Sequence, residues 1–584
     1  MRTFRVWAPK ARELELEIGG RRRALRAEPD GWWSVEADAE DGTDYAFRVD
    51  DGPPLPDPRS PWQPEGVHGP SRVVDHTLFE WHDRNWQPPP LASAIVYELH
   101  VGTFTPEGTF EAIRDKLDHL VSLGVTHVEL MPVAEFSGDA GWGYDGVALF
   151  APHHAYGGPT GLKRLVDACH QRGLAVLLDV VYNHLGPVGN YLEQYGPYFT
   201  DHYTTPWGKA INFDGPFSDP VRQFFCDNAL MWLRDYHFDG LRIDAVHAML
   251  DKSAVHFLEQ LATQADALQA RLGRHLVLIA ESDLNDPRLV RPREAGGFGL
   301  DAQWSDDFHH ALHALLTGER AGYYLDFGKL ADLAKALCEA YVYDGRYSVA
   351  RRRRHGRPPA GLSGHRFLGY LQNHDQVGNR ATGDRSSHLM SVGALKIGAA
   401  LVATSPFVPM WFQGEEWGAT APFLYFTDHA DPELARAVRE GRRSEFAAFG
   451  WKPQDIPDPQ DVATFRRSKL EWAERERAPH RDLLDWHGRL IRLRKRNKDL
   501  LDGRLDRVRT HFDEQARWLV VERGAITVLC NFADEPREIP VDSHRPQSCL
   551  LCSQDPIRRL PGHMELPAES VVILGPDASD IDRD

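Results

Sequence analysis

Residues 240–247, GLRIDAVH, read as a short apolar strand that carries Arg242 and Asp244. Side chains two apart on a strand leave the same face, so Arg242 and Asp244 point one way and Leu241 and Ile243 the other. Buried charge is costly unless it is paired or used. The pattern recurs along the chain. LAVLLDVV carries Asp179 and runs into YNH with His184; LVLIAE ends in Glu281; FLGYLQNHD ends in His374 and Asp375. An ionised carboxylate and a protonated one flanking a scissile bond are the machinery of glycoside hydrolysis. Arg242 is placed to hold Asp244 anionic as the nucleophile. The apolar run before Glu281 raises its pKa and suits it to be the acid. Asp375 is left to hold sugar hydroxyls and favour positive charge on the ring. One such acid alone could simply cap a helix. Divalent-metal ligation is the other use of these residue types, and Arg242 in their midst opposes a second cation. No metal or cofactor is therefore assigned.

Such strand ends must be gathered at one mouth. From about residue 91, apolar strands alternate with helical segments: AIVYELH, THVELMP, LAVLLDVV, GLRID, LVLIAE, LDAQW, FLGYLQN and FVPMWF. Eight strands with intervening helices predict an α/β fold, a (β/α)₈ barrel whose active site lies at the C-terminal strand ends. No G-x-G-x-x-G follows the first strand, which weakens the doubly wound alternative. Residues 1–90 read as an N-terminal β-sandwich, from short strands such as TFRVWAP and DYAFRVD between Gly, Asp and Pro turns. Residues 91–504 then hold the barrel, with a subdomain inserted at about 184–217, and 505–584 form a second β-sandwich. Ser218 is expected to cap the helix after the insertion, with Pro220 in its first turn.

The formal net charge of −18 disfavours nucleic acid as a partner and suits a neutral ligand. The chain shows no signal-type start and no stop-transfer stretch, so no membrane partner and a cytoplasmic location are expected. Six cysteines in 584 residues do not make a disulfide framework. Cys549 and Cys552 of CLLC read as buried strand cysteines, and the basic run ARRRRHGRPPAG as a solvated loop. Abundant Trp, Tyr and Phe are compatible with sugar stacking and with cores alike.

DVVYNH, GLRIDAVH, LIAES and LQNHDQ, in this order and at strand ends, resemble the four short conserved regions of the α-amylase family of glycoside hydrolases. That resemblance implies Asp244 as nucleophile, Glu281 as general acid/base and Asp375 as transition-state stabiliser. It places Arg242, His184 and His374 in supporting positions and Tyr144 of GWGYDGV as an aromatic stacking on the sugar. PDPRSPWQPEGVHGPS, YELHVGTFTPEGTF, IAESDLNDPRLVR and QWSDDFHHALHALLTGE are nearer to one branch of the family, as far as about residue 450. Members of that branch cut malto-oligosyltrehalose at the α-1,4 bond next to its terminal trehalose, releasing trehalose. Their pathway partner is the synthase that makes this substrate. The resemblance adds substrate contacts at His247, at Asp306, Asp307, Phe308, His309 and His310, and at Gln376, Val377, Gly378 and Asn379. Ordinary α-amylases commonly carry Lys-His at the third and fourth positions after the nucleophile. Here those positions are His247 and Ala248, which implies a different leaving-side pocket. Asn183 occupies a position that ligates calcium in some relatives.

Two other readings compete. A branching enzyme would share the sandwich and barrel, but VHAMLDKS and the absence of SHDEV depart from its pattern. A glycan-binding scaffold with a dead barrel would have lost one of Asp244, Glu281 and Asp375; all three are present.

Overall fold

The computed structural model describes the chain except residues 448–451, 453–454, 543–546 and 577–584. The last of these belong to the expected C-terminal sandwich and lie outside the described residues. Eight parallel strands close a barrel in the order Val96–Leu99, His127–Leu130, Ala175–Val180, Gly240–Ile243, Val277–Ala280, Ala302–Trp304, Phe367–Gly369 and Val408–Phe412. Each is short and buried along its whole length, because both faces are covered. Val96, Leu177, Ile279, Trp304, Leu368 and Met410 pack together in one buried cluster within it. The fourth strand must begin with glycine: a Cβ on Gly240 would lie 2.5 Å from the Val277 carbonyl oxygen of the next strand. Register sets Asp179 of the third strand beside Arg242 of the fourth.

Before the barrel, Arg2–Trp7, Arg26–Ala27 and Trp32–Ala37 form one antiparallel sheet, and Leu14–Ile18, Arg21–Ala24 and Asp44–Val49 lie in a second. The stretch joining them to the barrel is pinned: Trp86 Nε1 donates to Asp239 Oδ1 at 2.8 Å, at the foot of the fourth strand. After the barrel, strands from Val508–Asp513 to Ser570–Gly575 make a five-stranded sheet beside a three-stranded one. The segment after the third barrel strand carries a two-stranded hairpin, Phe199–Thr205 with Gly208–Ile211.

Several local expectations are corrected. Ser218 is not the cap. It is the first residue of the helix Ser218–Asp235, and Phe217, at φ 66°, precedes it with no side-chain cap. Pro220 does sit in the first turn, where its missing N–H costs nothing. The basic run is no plain loop: Asp344–Ser348 and Arg353–Gly356 pair as an antiparallel hairpin. Cys549 and Cys552 lie on the strand Ser548–Cys552, yet Cys549 is exposed and Cys552 half-buried, while Leu551 between them takes the inward place. The seventh strand stops at Gly369, so His374 and Asp375 belong to a short helix, His374–Gly378, capped by Asn373, whose side chain accepts from the amides of Asp375 and Gln376. No described helix is long and apolar enough to cross a membrane.

Candidate active site

The mouth is organised around Arg242, which is 2% exposed. Its Nη1 donates to both Asp179 oxygens, at 2.8 and 2.7 Å, and to Asp244 Oδ1 at 2.7 Å. Its guanidinium lies 4.2 Å over the ring of Trp304, from the sixth strand. Nη2 stands 3.8 Å from Glu281 Oε2, beyond hydrogen-bond reach. Arg242 is therefore held on Asp179 and Asp244 and only faces Glu281.

Glu281 follows the fifth strand directly, and its Oε2 accepts from the amide of Ala245 at 2.6 Å. Ala245 adopts φ 40°, a left-handed conformation that an alanine resists. The chain thus turns sharply just after Asp244 so that its next amide meets Glu281, and that strain is localised at the site. Burial pushes the Glu281 carboxyl well above the ordinary range; Arg242 opposes, and Asp244, Asp306 and Asp375 push it further up.

Asp375 lies exposed on the first turn of its helix, and Asn379 Nδ2 donates to its Oδ1 at 2.6 Å. Tyr144 donates to Asp179 Oδ2 at 2.6 Å, and its oxygen is 2.8 Å from His374 Nε2. Its ring stacks on that of His374 at 5.1 Å. His184 stacks flat on Trp207, the rings 4.8 Å apart, at the tip of the inserted hairpin. Asp306 accepts from Tyr370 at 2.5 Å, and burial pushes its carboxyl to about 7.

The sequence motifs divide once they are folded. Asp306 faces the carboxylates, but its neighbour Asp307 is spent inside, accepting from Asn285 Nδ2 at 2.7 Å and from the amides of Val342 and Tyr343. Phe308 packs on Phe407. His309 is fully buried between the Leu371 carbonyl and the Tyr324 hydroxyl. His310 is 7% exposed and stacks on Tyr323. Val377 is buried beside Trp142 and Phe412. Gly378 is required because a Cβ would meet Trp142 at 2.0 Å. Gln376 is half-buried and Asn379 exposed. His247 is exposed on the rim of a 470 Å³ pocket shared with Met249, Ser282 and Leu284.

No sequence motif singles out Trp207, Trp304 or Tyr370, nor the ion pair of Arg351 with Asp283 at 2.8 Å. That pair ties the basic hairpin to the segment after Glu281. Only the long polar insertion hinted at Trp207. Asn183 is buried, and neither side-chain amide atom has a protein partner. Among the described residues, Glu135, His153 and His154 bring metal-ligand atoms within 4.8 Å of one another. There the Glu135 carboxylate already accepts from the ring Nδ1 and the amide of His154, each at 2.7 Å.

Residues 70–207 match the family model for the alpha amylase catalytic domain, and residues 503–573 match a domain of unknown function, DUF3459. The chain is 49% identical over 588 residues to a malto-oligosyltrehalose trehalohydrolase of Rhizobium sp. (strain M-11), covering 98% of this chain and 97% of the relative. It is 53% identical over 500 residues to the protein of the same name from Arthrobacter ramosus, 85% of this chain and 87% of that one. A crystal structure from Salmonella typhimurium, solved under a provisional alpha amylase name, superposes with a TM-score of 0.90 at 37% identity, covering 98% and 97% of the two chains. The closed parallel barrel, the ordered strand-end residues and this near full-length identity agree: the chain belongs to the malto-oligosyltrehalose trehalohydrolases, glycoside hydrolases of the α-amylase family.

Proposed function

We propose that the protein hydrolyses the α-1,4-glucosidic bond next to the terminal trehalose of malto-oligosyltrehalose, with retention of configuration. The observation that carries the mechanism is the unequal treatment of two neighbouring carboxyls. Asp244 is hydrogen-bonded to Arg242, whereas Glu281 is not and is pushed toward its protonated form. Asp244 attacks the anomeric carbon while Glu281 gives its proton to the glycosidic oxygen, and trehalose leaves. Glu281, now a carboxylate, takes a proton from water as that water attacks the glycosyl ester, freeing Asp244. Asp375 offers its exposed carboxylate to the ring that carries positive charge. Tyr144, His374, His184, Trp207 and Asp306 line the glucosyl and neighbouring subsites, and His247 shapes the leaving side.

The trehalose specificity rests on the family, which the full-length identity supports. A synthase that builds malto-oligosyltrehalose is the partner reaction. A cytoplasmic location fits six cysteines that are all free. The test is parallel digestion of malto-oligosyltrehalose and a plain malto-oligosaccharide with the products resolved. Free trehalose from the first, at a higher kcat/KM than for the second, is expected. Equal rates, or new α-1,6 branches, would refute the specificity and favour an amylase or a branching enzyme.

A further inference from the structure

Glu98 lies in the first barrel strand, 1% exposed, and takes no part in the reaction scheme. Its Oε2 accepts from the His374 amide at 3.0 Å, and its Oε1 is hydrogen-bonded to His374 Nδ1. One side chain thus fixes both the backbone and the ring of His374, a residue that follows the seventh strand, two strand positions away round the closed barrel. On the other side of the ring, Nε2 meets the Tyr144 oxygen at 2.8 Å, while the Tyr144 hydrogen is given to Asp179. Both partners of the ring therefore act as acceptors. A neutral imidazole has only one N–H, so this geometry requires both nitrogens to carry hydrogen.

We propose that Glu98 is a positioning residue that holds His374 as an imidazolium and, through it, fixes Tyr144 and the Asp179–Arg242–Asp244 chain under the reacting sugar. The inference rests on the reading of Asp244 and Glu281 given above. The groups facing His374 agree with it. Glu98 comes from the first strand, Asp375 from its own helix and Asp179 from the third strand, against Arg242 from the fourth and His100 beyond the first. Burial opposes the charge on His374, but Glu98 outweighs it and its pKa is raised. Glu129, in register beside Glu98 on the second strand, is buried with both oxygens unpartnered; burial pushes it well above the ordinary range, so it adds no competing anion.

Glu98→Gln keeps the shape and removes the charge, because its amide can donate to Nδ1 and its oxygen can still accept from the His374 amide. Hydrogen bonds from an ionised donor are roughly twice as strong as neutral ones, so a kcat loss of about tenfold or more is expected, with KM within about threefold. The raised pKa of His374 keeps the cation as pH rises toward it. Without Glu98 that pKa falls, so the alkaline limb of the kcat–pH profile should move to lower pH. Glu98→Asp should recover part of the loss. A misfolded variant would instead lose active fraction without moving the profile. Where Glu98→Gln is unstable, nitrogen-15 NMR of the wild-type histidine rings decides, with His374 assigned by the signal lost in His374→Asn. Two protonated nitrogens at neutral pH are expected; a neutral ring there overturns the proposal. An inactive Asp244→Ala beside a Glu98→Gln enzyme with wild-type kcat and pH profile overturns this proposal alone. Activity surviving in Asp244→Ala overturns the site reading and this proposal with it.

Discussion

The mouth and the floor of the barrel are built from the same residue types and behave oppositely. At the floor, His170 sits between two carboxylates, its ring nitrogens 2.9 Å from Asp83 Oδ2 and 3.0 Å from Asp239 Oδ2. His237 reaches Asp83 at 2.7 Å, and Trp86 Nε1 and the Val176 amide both donate to Asp239. Trp86 stacks on His170 and Trp81 on His237. Burial works against Asp83 and Asp239, yet these donors draw both carboxyls below their ordinary range. At the mouth the balance is reversed. Asp179, Asp244 and Glu281 face Arg242, Asp375 faces His374 and Asp306 faces Glu281, and burial carries Asp179 to about 6, Asp306 to about 7 and Glu281 well upward. A satisfied ion network holds structure. A surplus of carboxyl groups, some of them keeping protons, is what a positively charged transition state and a proton donor require.

The sharpest way to break this contrast is to strike the mouth. Asp244→Ala and Glu281→Gln should each lower kcat by about 10⁴-fold or more while leaving thermal unfolding close to wild type. The sign of the pH response follows from Glu281. Its folded pKa is raised, so it is a competent acid below that value, and kcat/KM should fall as pH rises through it. A profile flat on the alkaline side would remove Glu281 from the acid role.

At the floor the same removal should change stability and not rate. His170→Ala strips a buried imidazole from two carboxylates, and breaking such a pair costs about 3–5 kcal/mol. Denaturant midpoints should fall accordingly, while kcat per folded molecule stays at the wild-type value. His170 is raised, so its contribution is complete below the ordinary histidine value of about 6.5 and is lost as pH rises through the folded value. Asp83 is lowered, so its contribution is complete above about 3.9 and is lost as pH falls through its folded value. Stability in His170→Ala should therefore depend less on pH above about 6.5 than in the wild type. A kcat loss comparable to that of Asp244→Ala would erase the distinction between the two ends.

The mouth was legible because strand alternation is local. Arg242, Asp244 and Glu281 show their direction within a few residues, and a charged residue ending an apolar run stands out. What escaped depended on pairings far apart in sequence. Asp306 and Asp307 look alike in the chain, yet helix geometry turns one toward the carboxylates and the other onto Asn285. His309 and Val377 match a functional motif but are used in packing, because a motif does not state which face is inward. Glu98 and the Arg351–Asp283 pair needed the closed barrel and the hairpin before their partners could be known. The floor, too, was invisible: nothing near His170 names Asp83, 87 positions away.

The smallest effect is expected at the rim, where a residue tunes choice of substrate without taking part in the chemistry. His247 is exposed three positions after Asp244, beside a pocket formed with Met249 and Ser282. Asp283, between the pocket residues Ser282 and Leu284, is held by Arg351. The proposed function puts the leaving trehalose on this side of Glu281, and a plain maltopentaose would present a reducing glucose there instead. Leaving-side contacts that orient the bond raise kcat/KM only for the substrate that makes them. Discrimination of about tenfold, roughly 1.4 kcal/mol of transition-state binding, is expected between the two substrates. His247→Lys should narrow that ratio by about two- to threefold through loss on malto-oligosyltrehalose, leaving kcat/KM on maltopentaose nearly unchanged. Trp207→Ala, which the proposed function places on the glucosyl side with His184, should weaken both substrates together and leave the ratio intact. If His247→Lys lowered both equally and Trp207→Ala changed the ratio, the two sides of the cleft would have to be exchanged.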